Sequence, residues 1–390
     1  MRVLFVTGEF PPMQGGVGDY TAVLARALAD LGVSVAVITS AKAAPLDDAR
    51  VAVYPVVRRW GWASLGAVAG MAASWRADVV HIQYQAAAYG MRLPIHLLPA
   101  YLRMGNRGIR RAVTFHDLKL PYLFPKAGPA RRWAVARLAR DCDAAIVTNR
   151  EDELGFGELG VPRAPRLIPI GSNIAPRLPQ GFERGAWRAK WGIAPDDLVL
   201  AYFGFLNATK GGDTLIAAVG HLAKQGRPVR LLMIGGKVGA SDPTNREFAR
   251  HVENIIAREG VADRVIWTGF LPPDEVSAAF AVADMAVLPY SDGISFRRGS
   301  LMAALAHGMP IISTVPRVHL PELVPEENVI LVPPDQPADL AEAVARVADH
   351  AGLRTRLGEG ARRLSRLFAW ERIARESLVL YESLLGGART

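Results

Sequence analysis

Two basic loops in this 390-residue sequence carry the residue types that handle phosphate. Residues 291–299, Ser-Asp-Gly-Ile-Ser-Phe-Arg-Arg-Gly, follow a strand-like run, Met285 to Leu288. They set Arg297 and Arg298 directly before Gly299 and Ser300, where an Ala/Leu-rich helix opens and runs to Gly308. A helix start offers unpaired N–H groups and the positive end of a dipole, and two guanidinium groups beside it suit a phosphate or diphosphate. Lys210 repeats the pattern: it follows the strand Val199–Phe203 and precedes a helix start at Gly211-Gly212, from which an ammonium would neutralise a departing diphosphate. Two more post-strand turns, one holding Gly235 and the other Phe270 and Leu271, could frame a flat base with backbone groups.

Two further loops lie in the first half of the chain. Gly15 and Gly16 follow the first strand and open a helix, so their backbone N–H groups could approach a phosphate or a sugar. The loop lacks the three spaced glycines of the dinucleotide fingerprint, and no acidic residue stands at the end of the next strand, which argues against a nicotinamide dehydrogenase. His116 ends a strand beside Asp117, a carboxylate placed to orient or charge it.

These loops need a scaffold, and the pattern supplies one. Val3–Thr7, Val35–Thr39, Val51–Val56, Val79–Gln83, Ala112–His116, Ala144–Thr148 and Arg166–Pro169 read as buried strands, with helices such as Tyr20–Leu31 between them. Val199–Phe203, Arg230–Ile234, Val265–Thr268, Met285–Leu288, Ile311–Thr314 and Val329–Val332 do the same in the second half. Continuous apolar strands alternating with helices predict parallel sheets covered on both faces, hence an α/β chain of two doubly wound, Rossmann-like domains. A Pro/Gly-rich stretch without period, residues 171–185, separates them. Ligands of such sheets lie at the carboxyl ends of strands, so two domains facing each other would share one cleft.

Composition narrows the class. Half the residues are hydrophobic and 21% charged, which describes a globular chain with ample core. The single cysteine, Cys142, excludes an internal disulfide framework and a cysteine-based metal cluster. The uncharged run from Trp60 to Trp75 is short for a membrane span and reads as a packed helix, apart from the arginine that follows it. The chain opens on a strand rather than a leader pattern, which predicts a cytoplasmic protein. The formal net charge is +9, and +8 of it falls within residues 1–170. Arg92, Arg103, Arg107, Arg110 and Arg111, then Arg131, Arg132, Arg137 and Arg140, are interleaved with Leu, Tyr and Trp. Such a face could rest on anionic lipid headgroups or attract an acidic substrate; no nucleic-acid motif accompanies it.

In combination and order, the Gly15-Gly16 loop, the His116-Asp117 strand end, the run from Ile168 to Asn173, the Lys210-Gly211 turn and the segment Ala306-His307-Gly308-Met309-Pro310 resemble the two-domain GT-B glycosyltransferases, specifically retaining family 4. The resemblance implies transfer of a sugar from a nucleoside diphosphate sugar to an acceptor with retained configuration. The acceptor would be a sugar, lipid-linked or small, on an N-terminal domain (1–172), and the nucleotide would bind a C-terminal domain (173–367). Residues 368–390 would form a helix crossing back to the first domain. No metal and no cofactor beyond the nucleotide-sugar co-substrate are implied, and the inner membrane face is a possible site of peripheral attachment. Two positions depart from the family. Phe205 stands where an arginine is typical, and Ser295 and Ala303 stand where two glutamates hold the donor sugar and the ribose. Arg297 or Arg298 could replace the missing arginine, and Asp292 or Ser295 could meet the sugar hydroxyls. Lys210 and the two arginines would stabilise the leaving diphosphate, with His116 on the sugar and acceptor side. The alternatives are a catalytically silent nucleotide-sugar-binding protein of the same fold and a nucleotide-sugar epimerase.

Overall fold

The computed structural model describes residues 1–13, 15–118, 128–236 and 243–386, with the backbone alone for 243–245. The chain divides into two compact units, residues 1–171 together with 369–390, and residues 172–368.

The first unit runs β1 (Arg2–Thr7), α1 (Gly16–Asp30), β2 (Ser34–Ser40), β3 (Val51–Val57), α2 (Trp62–Ser74), β4 (Val79–Tyr84), α3 (Leu98–Gly105), β5 (Arg110–Phe115), α4 (Gly128–Asp141), β6 (Ala144–Val147), α5 (Arg150–Gly157) and β7 (Arg166–Leu167). The strands form one parallel sheet in the order β3-β2-β1-β4-β5-β6-β7. Along β1 alternate residues serve different layers: Leu4 and Val6 join the core beneath α2 to α4, whereas Val3 and Phe5 join the core beneath α1. Both faces are therefore dry, which is why these strands are apolar throughout.

Helix α1 starts at Gly16, where the Gly15-Gly16 loop opens it ahead of the Tyr20–Leu31 run, and the Glu9 side chain accepts from the N–H groups of Val17 and Gly18 (3.1 and 3.3 Å) and so satisfies the first turn. The last helix of the chain, Trp370–Gly386, belongs to this unit. Its Ile373, Ala374, Leu380 and Tyr381 complete the core with α1, and the Tyr381 hydroxyl lies 2.6 Å from His81 Nδ1. Thr114 Oγ1 lies 2.8 Å from the other ring nitrogen, so this fully buried histidine is satisfied at both ends.

The second unit contains α6 (Arg184–Lys190), β8 (Leu198–Phe203), α7 (Gly212–Lys224), β9 (Val229–Ile234), α8 (Pro243–Glu259), β10 (Val265–Gly269), α9 (Pro273–Val282), β11 (Met285–Leu288), α10 (Gly299–Ala306), β12 (Ile311–Thr314), β13 (Ile330–Val332), α11 (Pro337–Asp349) and α12 (Ala351–Ser365); the terminal helix is α13. The sheet is again parallel, in the order β10-β9-β8-β11-β12-β13. The Pro/Gly-rich segment from residue 172 ends where Arg184 donates to the carbonyls of Ala281 and Val282 and pairs with Asp284 at 2.8 Å. Strand order reverses between β1 and β4 in one sheet and between β8 and β11 in the other. The carboxyl ends of those pairs are where a doubly wound sheet opens a crevice. Among the described residues no helix is long and apolar enough to cross a membrane.

Candidate active site

In the second unit the two basic loops meet at the reversal between β8 and β11. A 3₁₀ turn, Ala208–Lys210, leads into Gly211, whose φ of +64° favours glycine and where a Cβ would run into the Pro289 carbonyl oxygen. Ser291 ties the loops together: its N–H donates to the Thr209 carbonyl (3.2 Å) and its hydroxyl to that of Ala208 (3.1 Å). Across this seam Arg298 Nη1 donates to Thr209 Oγ1 (3.2 Å), and its guanidinium lies 4.9 Å from the centre of the Tyr290 ring.

Lys210 bends back over the end of β8. A Cβ at Gly204 would come within 2.8 Å of its Nζ, so the lysine uses the space a side chain would fill. Gly204 (φ +107°) and Gly235 (φ +111°) adjoin, leaving a bare backbone floor beneath the ammonium. Burial, and then the nearby charge of Arg298, lower the Lys210 pKa to about 8. Among the described residues no carboxylate pairs with it. Lys237, next to the Gly235 turn, lies outside the described residues, as does Gln14 of the first unit.

The other predicted residues occupy different roles. Asp292 is buried and holds both arginines, Arg297 Nη2 at 2.6 Å and Arg298 Nη2 in a short contact. Two adjacent guanidinium groups in a poorly hydrated loop need a counter-ion, and Asp292 supplies it, a role the sequence reading, which had it meet sugar hydroxyls, did not include. Ser295 is buried, and Ser300 Oγ lies 2.8 Å from the Tyr290 hydroxyl, so Ser300 serves the loop internally. Gly299, the first residue of α10, is exposed with no atom near its Cβ position. Phe270 is 76% exposed just beyond β10, with Leu271 half-buried after it, and Phe205 is 37% exposed directly after Gly204. The backbone N–H of Gly235 donates to Thr268 Oγ1 (3.1 Å), which ties that turn to the end of β10.

In the first unit the structure gives two of the predicted loops partners that the sequence reading did not include. Behind Gly15 and Gly16 the Glu9 carboxylate accepts from the N–H groups of Val17 and Gly18, and a Cβ on Gly15 would collide with it. A phosphate there would meet a carboxylate that already uses two N–H groups of the first turn, those of Val17 and Gly18. Burial raises the Glu9 pKa against two backbone hydrogen bonds that lower it; burial and then Glu9 raise that of Asp19 to about 6. His116 is not organised by Asp117. Its Nε2 lies 2.8 Å from Gln83 Oε1, the Tyr20 ring meets it edge-on at 4.7 Å, and burial depresses its pKa to about 3, so it is neutral. Its Nε2 therefore carries the proton and donates to Gln83, leaving Nδ1 as an acceptor. Glu9, Gln83, Gly204, Thr209 and Tyr290 were missed in the sequence. Glu9 alone had a visible signal, a carboxylate two residues beyond the first strand.

Two parallel, doubly wound sheets with paired loops at their reversal points define the GT-B class of glycosyltransferase folds. Residues 197–350 match the family model "Glycosyl transferases group 1", and residues 15–171 match "Glycosyl transferase 4-like domain". The chain belongs to the group 1 glycosyltransferases. It is 26% identical to 2-deoxystreptamine glucosyltransferase of Streptomyces kanamyceticus over 94% of this chain and 98% of that protein. It is 28% identical to D-inositol 3-phosphate glycosyltransferase of Streptomyces bingchenggensis over 63% of this chain; that match spans about half the relative, 54%. Among solved structures, sucrose-phosphate synthase from Thermosynechococcus elongatus is similar with a TM-score of 0.77 and 22% identity, covering 99% of this chain and 100% of that one. Anabaena HepE in complex with UDP-glucose gives 0.75 and 16%, covering 98% and 100%.

Proposed function

We propose that this protein transfers a sugar from a nucleoside diphosphate sugar to a hydroxyl of a sugar or cyclitol acceptor, with retention of configuration and without a metal. The observation that carries the reading is the Lys210 ammonium, held beside Arg298 over a glycine floor with no carboxylate paired to it among the described residues. A cation kept poorly solvated beside a second cation is costly unless an anion completes it. A diphosphate is the anion that this crevice geometry suits. The UDP-glucose complex of the similar Anabaena protein supports a nucleotide-sugar donor.

In this reading the diphosphate binds across Lys210 and the Arg297-Arg298 loop, near the exposed start of α10. Lys210 stabilises the negative charge that grows on the leaving oxygen as the glycosidic bond breaks, the term that contributes most when an oxocarbenium-like state forms. The leaving phosphate takes the acceptor's proton on the same face, which accounts for retention without a carboxylate nucleophile. Phe270 and the Gly235 turn would border the base. Neutral His116, with the Glu9 and Asp19 carboxylates, would offer hydrogen bonds to hydroxyls. The names of the two curated relatives, one acting on an aminocyclitol and one on an inositol phosphate, favour a cyclitol-like acceptor.

Thermal shifts with UDP, GDP, ADP and dTDP, followed by turnover of the matching nucleotide sugars, test this. One diphosphate raising the midpoint of the native protein but not of Lys210→Ala, together with transfer that retains the anomeric configuration, is the expected result. Equal shifts in both proteins would sink the assignment of Lys210, and absence of any shift would sink the donor reading.

A further inference from the structure

Helix α3 is apolar on two sides, and one of them is left partly exposed among the described residues. With the 3₁₀ turn Pro94–Leu97 ahead of it, it forms a continuous helical segment packed against α2 and α4. Ile95, Leu98 and Leu102 point into the core beneath. On the outward side Leu93, Leu97, Tyr101 and Met104 recur at helical spacing; Leu93, Tyr101 and Met104 are exposed, Met104 to 86%. A water-facing helix needs one apolar stripe, and the second here is placed where solvent should favour polar residues. Trp133 on neighbouring α4 and Trp62 at the start of α2 are exposed as well, at 53% and 64%.

The charge around this stripe is predominantly positive, although Arg111 is paired with Asp143. From residue 85 to residue 140 the sequence carries eleven Lys and Arg and a single carboxylate, Asp117. Arg103 and Arg137 share the one carboxylate of Asp141. Arg132 and Arg140 donate to the backbone carbonyls of Glu158 and Gly160 and form no ion pair among the described residues. Arg92 and Arg107 flank the stripe at its two ends and form no ion pair among the described residues.

We propose that the outer face of α3, with α4 beside it, docks on an anionic lipid bilayer. The stripe would enter the headgroup boundary while the arginines meet lipid phosphates. A second copy of this chain fits poorly, because self-pairing would set arginines against arginines, and a nucleic acid would leave the most exposed apolar side chains without a partner. The inference rests on this surface alone and is independent of the donor site.

Co-sedimentation of the full chain with vesicles tests it. Phosphatidylcholine vesicles containing phosphatidylglycerol should bind the protein, pure phosphatidylcholine should not, and binding should fall steeply as salt rises from about 0.05 to 0.5 M. Removing Arg92 and Arg107 together (Arg92→Gln/Arg107→Gln) should weaken binding about fivefold per charge. Tyr101→Ser/Met104→Ser should weaken it about tenfold while keeping the salt dependence. Arg250→Gln, on α8 of the second unit, should leave it unchanged. Binding equal to wild type in both double variants, each melting as wild type does, would overturn the proposal. So would equal binding to neutral vesicles, dimerisation that Tyr101→Ser/Met104→Ser abolishes, or tighter binding to a DNA duplex with the same arginine dependence.

Discussion

In the first unit the helix after the central strand starts at Gly16 against the Glu9 carboxylate, with Asp19 a turn further on. In the second unit the corresponding helix starts at Gly212 behind the Lys210 ammonium and the Arg297-Arg298 loop. Both starts follow a glycine after the innermost strand of a doubly wound parallel sheet, and both expose N–H groups that favour negative charge. One is already filled by the protein's own carboxylate, whereas the other has cations added to it. A glycine loop at a helix start therefore does not define an anion site; the nearest charged side chain decides whether the N–H groups remain available. In the proposed reaction this assigns the anionic donor to the second unit and leaves hydroxyl recognition to the first.

The comparison can be broken at the basic end first. Lys210→Ala should lower kcat/KM by about 10²–10³-fold. It should leave the melting temperature unchanged or raised, because it deletes a poorly solvated charge that has no ion pair among the described residues. A steady-state assay with calorimetry on the same sample checks both, and an activity loss accompanied by a falling melting temperature would show that Lys210 is structural. Asp292→Ala should cost about 3 kcal/mol in a denaturant titration, since it leaves two largely buried guanidinium groups without their shared counter-ion. At the acidic end, Glu9→Gln should cost about 1 kcal/mol by weakening the start of α1, without creating a diphosphate site there. Isothermal titration with the preferred diphosphate checks the second part.

Two pH profiles sharpen the contrast. The folded pKa of Asp19, about 6, lies above its ordinary 3.8, so the folded state holds the proton more tightly. Stability from this group is lost as pH rises from about 4 to 6 and regained on acidification. Asp19→Asn should remove that gain. His81 and His116 act in the opposite sense: burial holds both near 3, below their ordinary 6.5, so the unfolded chain takes up protons first and stability falls as pH drops below 6.5. Melting curves from pH 7 to 4 for the wild type and Asp19→Asn isolate the aspartate by difference. For Lys210, charged below about pH 8, donor affinity should hold to that point and weaken above it. Lys210→Arg should flatten the decline.

Much of the scaffold was legible because a parallel sheet buried on both faces imposes a local rule. Val3–Val6 and Met285–Leu288 are apolar without interruption, and glycines or prolines follow such runs. The helix starts were legible for the same reason near Gly15-Gly16, Gly211 and Gly299; that a side chain seven residues upstream of Gly16 satisfies the first turn there was not. The chemistry of the site was less legible. Asp292 could be read as a ligand contact because spacing shows that it is near the arginines but not that they enclose it. His116 was read beside its sequence neighbour Asp117, whereas its partner Gln83 is on the adjacent strand of the sheet.

By itself the sequence determined the alternation of strands and helices, the uneven distribution of basic charge and which loops follow strand ends. These depend on residues near one another along the chain, where periodicity and composition act. Tertiary structure alone decided that Glu9 closes one helix start, that Asp292 joins two arginines, that Lys210 rests over Gly204, and that the apolar stripe of α3 faces outward. Each depends on how distant segments pack, and packing sets the desolvation and the partner that determine what a charged group can do.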